Sequence, residues 1–327
     1  MEMNTSLIDR FADAFGTAQQ WLFEQLLQPA MFALGLGNLL EDAYDATGWL
    51  LVGLIQIAIM ATVLRGLERW RPVEPLTDRA AVRVDILYTL VHRLGLFRVA
   101  LFLTLTPLWD DAIGWLRLQG LATFHLDALW PGVTDVAWVS FLMYLLVFDF
   151  VEYLLHRAQH RFGWWWQLHA VHHSQRQMTL WSDNRNHLLD DVIHDSVLVI
   201  VGLLVGIAPG QFVAIVAITQ LLESLSHTNV RMAFGRFGDR LLVSPRFHRL
   251  HHRIGVGHES DGPGTLGGHN FAVLFPVWDL LFRTARFDGR DEPTGIRDQL
   301  PEHGGRDYGR GFWSQQWLGL KRLASRG

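Results

Sequence analysis

The first half of the chain alternates between long apolar stretches and short polar segments. Three stretches, residues 49–64, 94–109 and 136–155, approach the roughly 20 apolar residues that cross a bilayer as one α-helix. The first contains no charged residue, whereas the second contains Arg98 and Pro107. This pattern predicts three transmembrane helices before residue 156.

A fourth apolar region, residues 197–222, is interrupted by Pro209 and Gly210. Proline cannot continue a helix interior, and glycine tolerates the backbone angles of a tight turn. The region therefore predicts a helical hairpin, or two helices that each reach half the membrane depth. The fold class expected is an all-α polytopic membrane protein with about four transmembrane helices or hairpin segments. The alternative is the core of a large soluble helical protein.

Arginines between the first two predicted spans indicate the orientation. They are Arg65, Arg69, Arg71, Arg79 and Arg83. Because Lys and Arg concentrate in cytoplasmic loops, this loop is expected on the cytoplasmic side, and the third span then returns to the cytoplasm. We expect an integral membrane protein whose later polar segments form a helical cap on the cytoplasmic face.

The same pattern divides the chain into four predicted segments. They are an amphipathic or interfacial segment at 1–47, transmembrane helices at 48–135, a histidine-rich domain at 136–286, and a polar tail at 287–327. The tail includes a predicted amphipathic helix at 312–323 that would lie on the membrane surface. The glycine-rich residues 255–268 are expected to form a turn or lid.

Composition supports a membrane protein and excludes several kinds of site. Half of the 327 residues are hydrophobic, 18% are charged, and the net charge is −4. Because no run of Lys and Arg is interleaved with aromatic residues, nucleic acid is not an expected partner. The chain has no cysteine, which excludes disulfides, Cys-ligated zinc and Cys-ligated iron–sulfur clusters. Any metal must be bound by nitrogen and oxygen atoms.

Three short windows contain half of the 16 histidines. Their spacings of three and four residues place the histidines of each window on one helix face. Imidazole is the commonest metal ligand in proteins, and one transition metal accepts about four to six ligands. Eight imidazoles therefore predict two metals, although imidazole suits Zn, Cu, Fe and Ni alike. The eight are His156, His160, His169, His172, His173, His248, His251 and His252.

Other histidines are weaker candidates for the same site. His227 follows the apolar hairpin and is expected to return to the cytoplasmic face as a ninth ligand. His187, His194 and His269 are candidates either for ligation or for orienting a ligand.

Two carboxylates share a helix face with His156. They are Asp149 and Glu152, and Glu152 lies one turn before the histidine. A carboxylate in this position often orients a metal-binding histidine through its other ring nitrogen. Glu152 is therefore predicted to orient His156, and an ordinary charge at the membrane end is the alternative.

Residues 140–286 resemble the fatty acid hydroxylase/sterol desaturase superfamily of integral membrane di-iron oxygenases. The resemblance rests on Asp149-x-x-Glu152-Tyr153-x-x-His156-Arg157-x-x-His160, Leu168-His169-x-x-His172-His173-Ser174, Ser226-His227-x-Asn229, Pro245-x-x-His248-x-x-His251-His252, and Asn270-Phe271 with Trp278-Asp279-x-x-Phe282-x-Thr284. One departure is Leu188 after His187, where many bacterial relatives have proline.

The resemblance implies two Fe ions that activate O2 to hydroxylate or desaturate a C–H bond of a fatty acyl, sterol-like or ether lipid. Electrons would come from an external donor such as a ferredoxin, a cytochrome b5-like protein or a reductase. The implied metal ligands are His156, His160, His169, His172, His173, His227, His248, His251 and His252. Residues implied to support them are Asp149, Glu152, His187, His194, Asn229 and Asp279.

Two other functions are compatible with a cluster of histidines in a membrane protein. A non-catalytic metal transporter or sensor would place its ligands midway through the spans, whereas these histidines follow the ends of spans. A lipid metallohydrolase would use a metal-bound hydroxide and usually includes carboxylate ligands.

Overall fold

The computed structural model describes residues 7–255, 267–289 and 293–325. Over these ranges the chain is helical and contains no β-strand, apart from one isolated bridge between Arg253 and Thr294. The prediction of an all-α protein is confirmed. The helices are α1 (Leu7–Leu22), α2 (Gln28–Ala33), α3 (Leu40–Ile59), α4 (Arg65–Trp70), α5 (Arg79–Arg93), α6 (Leu96–Thr104), α7 (Thr106–Leu118), α8 (Ala137–Arg161), α9 (Gly163–His173), α10 (Leu188–Val205), α11 (Pro209–Ser226), α12 (Gly235–Leu241), α13 (Pro245–His251), α14 (Val277–Leu281) and α15 (Phe312–Ala324).

Two of the described helical stretches are long and apolar enough to cross a bilayer. One is Gly37–Trp70, where α3 continues through the π-helical turn Met60–Leu64 into α4. Its 34 residues correspond to ~50 Å of helix, more than the ~30 Å of the hydrocarbon core. The other is α8, with 25 residues. Two such helices are therefore found where about four spans were predicted.

The predicted second span is wrong as a single helix. Residues 94–109 divide into α6, with nine residues, and α7, which begins at Thr106. Pro107 has no N–H to donate to the carbonyl four residues earlier, so the helix cannot continue through this position unchanged. At 1.5 Å per residue, α6 is only ~14 Å long and cannot cross the hydrocarbon core alone.

The hairpin predicted for residues 197–222 is present as α10 and α11. The chain reverses after Gly206, which has a φ of 68° and ends α10. A Cβ at this position would lie 2.4 Å from Nδ1 of His125, so the turn needs glycine for its backbone angle and for space. The two helices pack on α8 through a core that includes Tyr144, Leu198 and Ile215.

The junction between α8 and α9 brings the first two histidine windows together. Phe162 is extended, with φ −94° and ψ 117°, and interrupts the helix between Arg161 and Gly163. Gly163 is the first residue of α9. Because the chain turns within one residue, α9 packs back against α8.

The amphipathic helix expected near the C-terminus is α15. One face packs on α9, while Trp313 and Trp317 are exposed. Gln316 anchors it, since its side-chain amide donates to Tyr88 Oη over 2.9 Å. Contact with a membrane surface stays a prediction. The lid expected at 255–268 lies mostly outside the described residues.

Candidate metal centre

The first group of buried histidines comes from three helices. His156 and His160 lie on α8, His173 on α9 and His251 on α13. Each contributes a ring nitrogen, and these four nitrogens lie within 4.8 Å of one another. The residues are separated by up to about a quarter of the chain, yet all four side chains are buried. They form a donor set of the size that one metal ion requires.

A second group lies next to the first. It contains His172 of α9, His227 at the end of α11, His248 of α13, and His252. The Nε2 atom of His227 is 3.2 Å from that of His172 and 3.0 Å from that of His248. The rings of His173 and His252, one from each group, stack with centroids 4.3 Å apart, so the groups are in contact.

Backbone carbonyls determine which nitrogen faces each group. The Nδ1 atom of His156 is 2.9 Å from the Phe271 carbonyl, and that of His251 is 2.7 Å from the His269 carbonyl. His227 Nδ1 lies 2.8 Å from the carbonyl of Glu223. Because a carbonyl can only accept, each Nδ1 carries the proton and each Nε2 keeps its lone pair for a metal.

Burial keeps these histidines neutral. It lowers their pKa values well below the ordinary histidine value, and the proximity of the other imidazoles lowers the pKa values further. Neutral imidazole is the form that binds metal ions. This holds for His172, His173, His248, His251 and His252, which lie outside the two long apolar helices.

The donor set fits metal ions. The Nε2 atoms of His156 and His169 are buried and have no hydrogen-bond partner among the described residues. Leaving a buried polar atom unsatisfied costs about 1–3 kcal/mol, and coordination would remove that cost. A set of imidazole nitrogens alone suits Fe, Zn, Cu or Ni.

His169 was predicted as a ligand but lies outside both groups of four. Its ring centroid is 5.0 Å from that of His160, and its Nδ1 is 3.2 Å from Oδ2 of Asp190. Asp190 also accepts hydrogen bonds from Gln159 and from Trp165, at 2.9 and 2.6 Å. Burial alone would raise the pKa of Asp190, but His169 and these hydrogen bonds hold it below its ordinary value. The carboxylate therefore orients His169 with Nε2 free.

Asp190 was missed as a partner of His169. The two residues are 21 positions apart. Nothing in the sequence distinguishes Asp190 from its neighbour Asp191.

Glu152 does not orient His156 as predicted. Its Oε2 atom lies 2.6 Å from Nε2 of His194, whose Nδ1 is 3.3 Å from Asp195. The Nδ1 atom of His156 instead contacts the Phe271 carbonyl. The pair of Glu152 and His194 faces the cavity described below.

The other predicted carboxylates support the site through the backbone. Asp279 accepts from the N–H groups of Phe271 and Ala272, at 2.9 and 2.8 Å. It thereby positions the carbonyl that His156 contacts.

Asp149 binds the part of the chain that follows Ala272. It accepts from the Leu274 N–H at 2.8 Å and from the Trp278 indole at 2.7 Å. Within the part of the chain that the structure describes, neither Asp149 nor Asp279 forms a hydrogen bond with a histidine ring.

His187 and Asn229 point elsewhere. His187 Nε2 donates to the Gln316 carbonyl over 2.9 Å, and its Nδ1 accepts from the Leu189 N–H at 3.1 Å, so both nitrogens are used at the start of α10. The Asn229 side chain pairs with the backbone of Glu74. The His269 carbonyl accepts from Nδ1 of His251 over 2.7 Å.

A cavity of about 760 Å³ reaches the histidines. Its walls include apolar side chains such as Phe97, Phe148 and Ile215. Five of the predicted metal ligands also line it: His156, His169, His172, His227 and His248. Because members of both groups line the cavity, an apolar chain within it would lie beside the metal-binding nitrogens.

These features define a helical protein with two helices long and apolar enough to cross a bilayer, and with a histidine-rich centre beside a largely apolar cavity. Residues 141–284 match the model of the fatty acid hydroxylase family, and the predicted resemblance to the fatty acid hydroxylase superfamily is confirmed. It is similar to the ornithine lipid hydroxylase OlsE of Rhizobium tropici, with 25% identity over 273 residues, which are 83% of this chain and 78% of that protein.

It is also similar to the alkylglycerol monooxygenase of Caenorhabditis elegans. The identity is 25% over 183 residues, which are 54% of this chain and 34% of the worm protein, so this match spans about a third of the relative's length. No solved structure matches the chain.

Proposed function

We propose that the protein is a membrane-bound, O2-dependent di-iron oxidoreductase that hydroxylates or desaturates a C–H bond of a lipid. The observation that carries the proposal is the pair of buried four-histidine groups that line one largely apolar cavity. The relatives support it, since both are named for the oxidation of lipids.

In this proposal the histidines hold two iron ions. His156, His160, His173 and His251 would hold one ion and His172, His227, His248 and His252 the other, with His169 beside the first. Iron bound there would supply the activation of O2 and the oxidising power that no amino-acid side chain has. The chain's own residues fix the imidazoles through backbone carbonyls, keep them neutral, and exclude water from the centre.

The substrate proposed is a membrane lipid whose acyl chain enters the apolar part of the cavity. The Glu152 Oε2 and His194 Nε2 atoms, 2.6 Å apart on the cavity wall, can hold a polar group of the substrate there. Ornithine lipid is the first substrate to test, because the similarity to the Rhizobium enzyme covers most of both chains.

The remaining parts of the proposal concern location and electrons. We place the protein in a bacterial inner membrane, with the histidine cap on the cytoplasmic side, as the arginines at 65–83 favour. The electron donor is a separate ferredoxin, cytochrome b5-like protein or reductase.

The test uses the purified full chain in lipid nanodiscs. We expect two iron ions per chain and, with ornithine lipid and a reductant, O2 consumption with an oxygenated or desaturated product in mass spectra. His172→Ala and His251→Ala, one from each group, should each lower iron content and abolish turnover. The matched control is His303→Ala, at an exposed position outside the site.

Two outcomes would overturn the proposal. Full iron content and turnover in either variant would contradict the assignment of the two groups. Zinc transport into vesicles, or ester hydrolysis without O2 consumption, would replace the oxygenase with a transporter or a metallohydrolase.

A further inference from the structure

Helices α12 and α14 present exposed apolar side chains beside exposed arginines. Phe237 is 79% exposed, Leu241 71% and Leu281 65%. We call this surface the α12–α14 face, and define it by Phe237, Leu241, Val277, Leu281, Arg236, Arg240 and Arg283. Side chains this large and apolar are rarely left together in water unless they bind something.

The position of α14 on α8 indicates what covers this face. Phe150 lies in a row of apolar residues spaced by four along α8, with Leu146 before it and Leu154 after it. Leu146 and Leu154 are exposed, whereas Phe150 is covered by Trp278, whose ring centroid is 4.7 Å away. Since α8 is long and apolar enough to cross the bilayer, the row faces lipid, and α14 lies against it near its C-terminal end.

Helix α12 is held close to α14 and α8 by contacts of the residues that follow it. The N–H of Val243, just after α12, donates to the Leu274 carbonyl over 2.8 Å. The Arg240 guanidinium lies 4.5 Å from the centroid of the Phe287 ring. Val243 also shares a buried core with Tyr153 of α8. The depth of α12 and α14 in a membrane is therefore fixed by α8.

The charge of the α12–α14 face indicates which lipids it binds. Five arginines on and around it are exposed: Arg236, Arg240, Arg246, Arg283 and Arg286. Among the residues that the structure describes, the nearby carboxylates are Asp239, which is half-buried and accepts from the Phe234 N–H, and Asp288. A basic rim around apolar side chains fits a leaflet that contains anionic phospholipids, which attract arginines close to the surface.

We propose that the α12–α14 face is inserted into the leaflet that surrounds the C-terminal end of α8, with its arginines at the phosphates of anionic lipids. An acidic protein partner would meet the same charges, but the exposed apolar row of α8 on both sides of the contact favours lipid. The inference depends on α8 crossing the bilayer and is independent of the proposed reaction.

Depth measurements test the insertion. The chain has no cysteine, so single-cysteine variants of the full chain carry one nitroxide label each. Phe237→Cys and Leu281→Cys should collide more with dissolved O2 than with a water-soluble nickel chelate in nanodiscs of phosphatidylcholine and phosphatidylglycerol. Leu146→Cys on α8 gives the lipid-facing reference and Glu302→Cys, exposed in a polar segment, gives the aqueous one. If the labels at Phe237 and Leu281 collided with the nickel chelate as often as the label at Glu302→Cys, the proposal would be overturned. This face would then be expected to bind a protein partner.

Lipid retention tests the arginines. After purification from an equal mixture of the two lipids, the chain should retain more phosphatidylglycerol than phosphatidylcholine. The double variant Arg236→Gln, Arg240→Gln should reduce that ratio severalfold, whereas Arg310→Gln, exposed elsewhere, should keep it. An equal ratio in all three proteins would contradict the anionic-lipid part of the proposal.

Discussion

At the scale of single residues, the orientation of each imidazole depends on a partner far away in the sequence. Three of the histidines donate Nδ1–H to backbone carbonyls, and His169 instead faces the Asp190 carboxylate. A carboxylate partner makes an imidazole a stronger ligand than a carbonyl does, because its charge raises the basicity of the other nitrogen. His169 is therefore the histidine whose contribution depends most on one side chain.

The variant Asp190→Asn tests this dependence. We expect it to reduce metal affinity or turnover by about 10- to 100-fold, which is typical for loss of a carboxylate behind a metal-binding histidine. Iron content and lipid turnover in nanodiscs are the measurements. Asp191→Asn is the matched control for iron content, since Asp191 is adjacent in sequence but lies 3.4 Å from His92 instead. Equal iron content and turnover in Asp190→Asn and wild type would show that His169 needs no carboxylate.

The spacing of histidines reports which residues share a helix face, and this is why the windows at 156–160, 169–173 and 248–252 could be recognised in the sequence. It does not report contacts between helices. The pairing of His169 with Asp190 and the support of Phe271 by Asp279 arise only when α9, α10 and the segment before α14 pack together. For the same reason, the sequence could not predict that eight of the nine predicted ligands form two groups of four and that His169 lies outside both.

At the scale of elements, apolar length predicted the two long helices and the hairpin but not the break after α6. A count of apolar residues treats Pro107 as one polar or charged residue would be treated, as a single exception in an apolar stretch. Proline, however, has no backbone N–H to donate within the helix, so the continuous helix ends there. The reversal between α10 and α11 was visible in Pro209 and Gly210. The residue that makes the turn, however, is Gly206, which the pattern did not single out.

The hairpin turn gives a prediction at this scale. Gly206→Ala should destabilise the protein, because a left-handed backbone costs an L-residue about 1–2 kcal/mol and the new Cβ would collide with His125. Thermal unfolding in detergent, followed by tryptophan fluorescence, should show a lower midpoint. The matched control is Gly210→Ala in the first turn of α11, where a Cβ meets no atom within 4 Å and the midpoint should stay or rise. A loss of stability in Gly210→Ala equal to that in Gly206→Ala would refute the special role of the turn.

At the scale of the whole molecule, the histidines join parts of the chain that are distant in sequence. Helix α8 contributes to the first group, the end of α11 to the second, and α9 and α13 to both. The buried neutral imidazoles leave nitrogens such as His156 Nε2 without a partner among the described residues. Metal ions bound there would therefore connect these four elements directly. Their binding free energy would add to the stability of the folded state, because the unfolded chain does not bring the ligands together.

Removal of metal gives the prediction for the whole molecule. A ligand present at a thousand times its Kd stabilises the folded state by about 4 kcal/mol, so treatment with a chelator should lower the unfolding midpoint by several degrees. Ferrous iron should restore the midpoint. The double variant His172→Ala, His251→Ala, which disrupts both groups, should unfold at one temperature with or without chelator. If the chelator shifted this variant as much as the wild type, the stabilising metal would lie outside the two groups, and the assignment of the histidines as the structural link between α8, α9, α11 and α13 would fail.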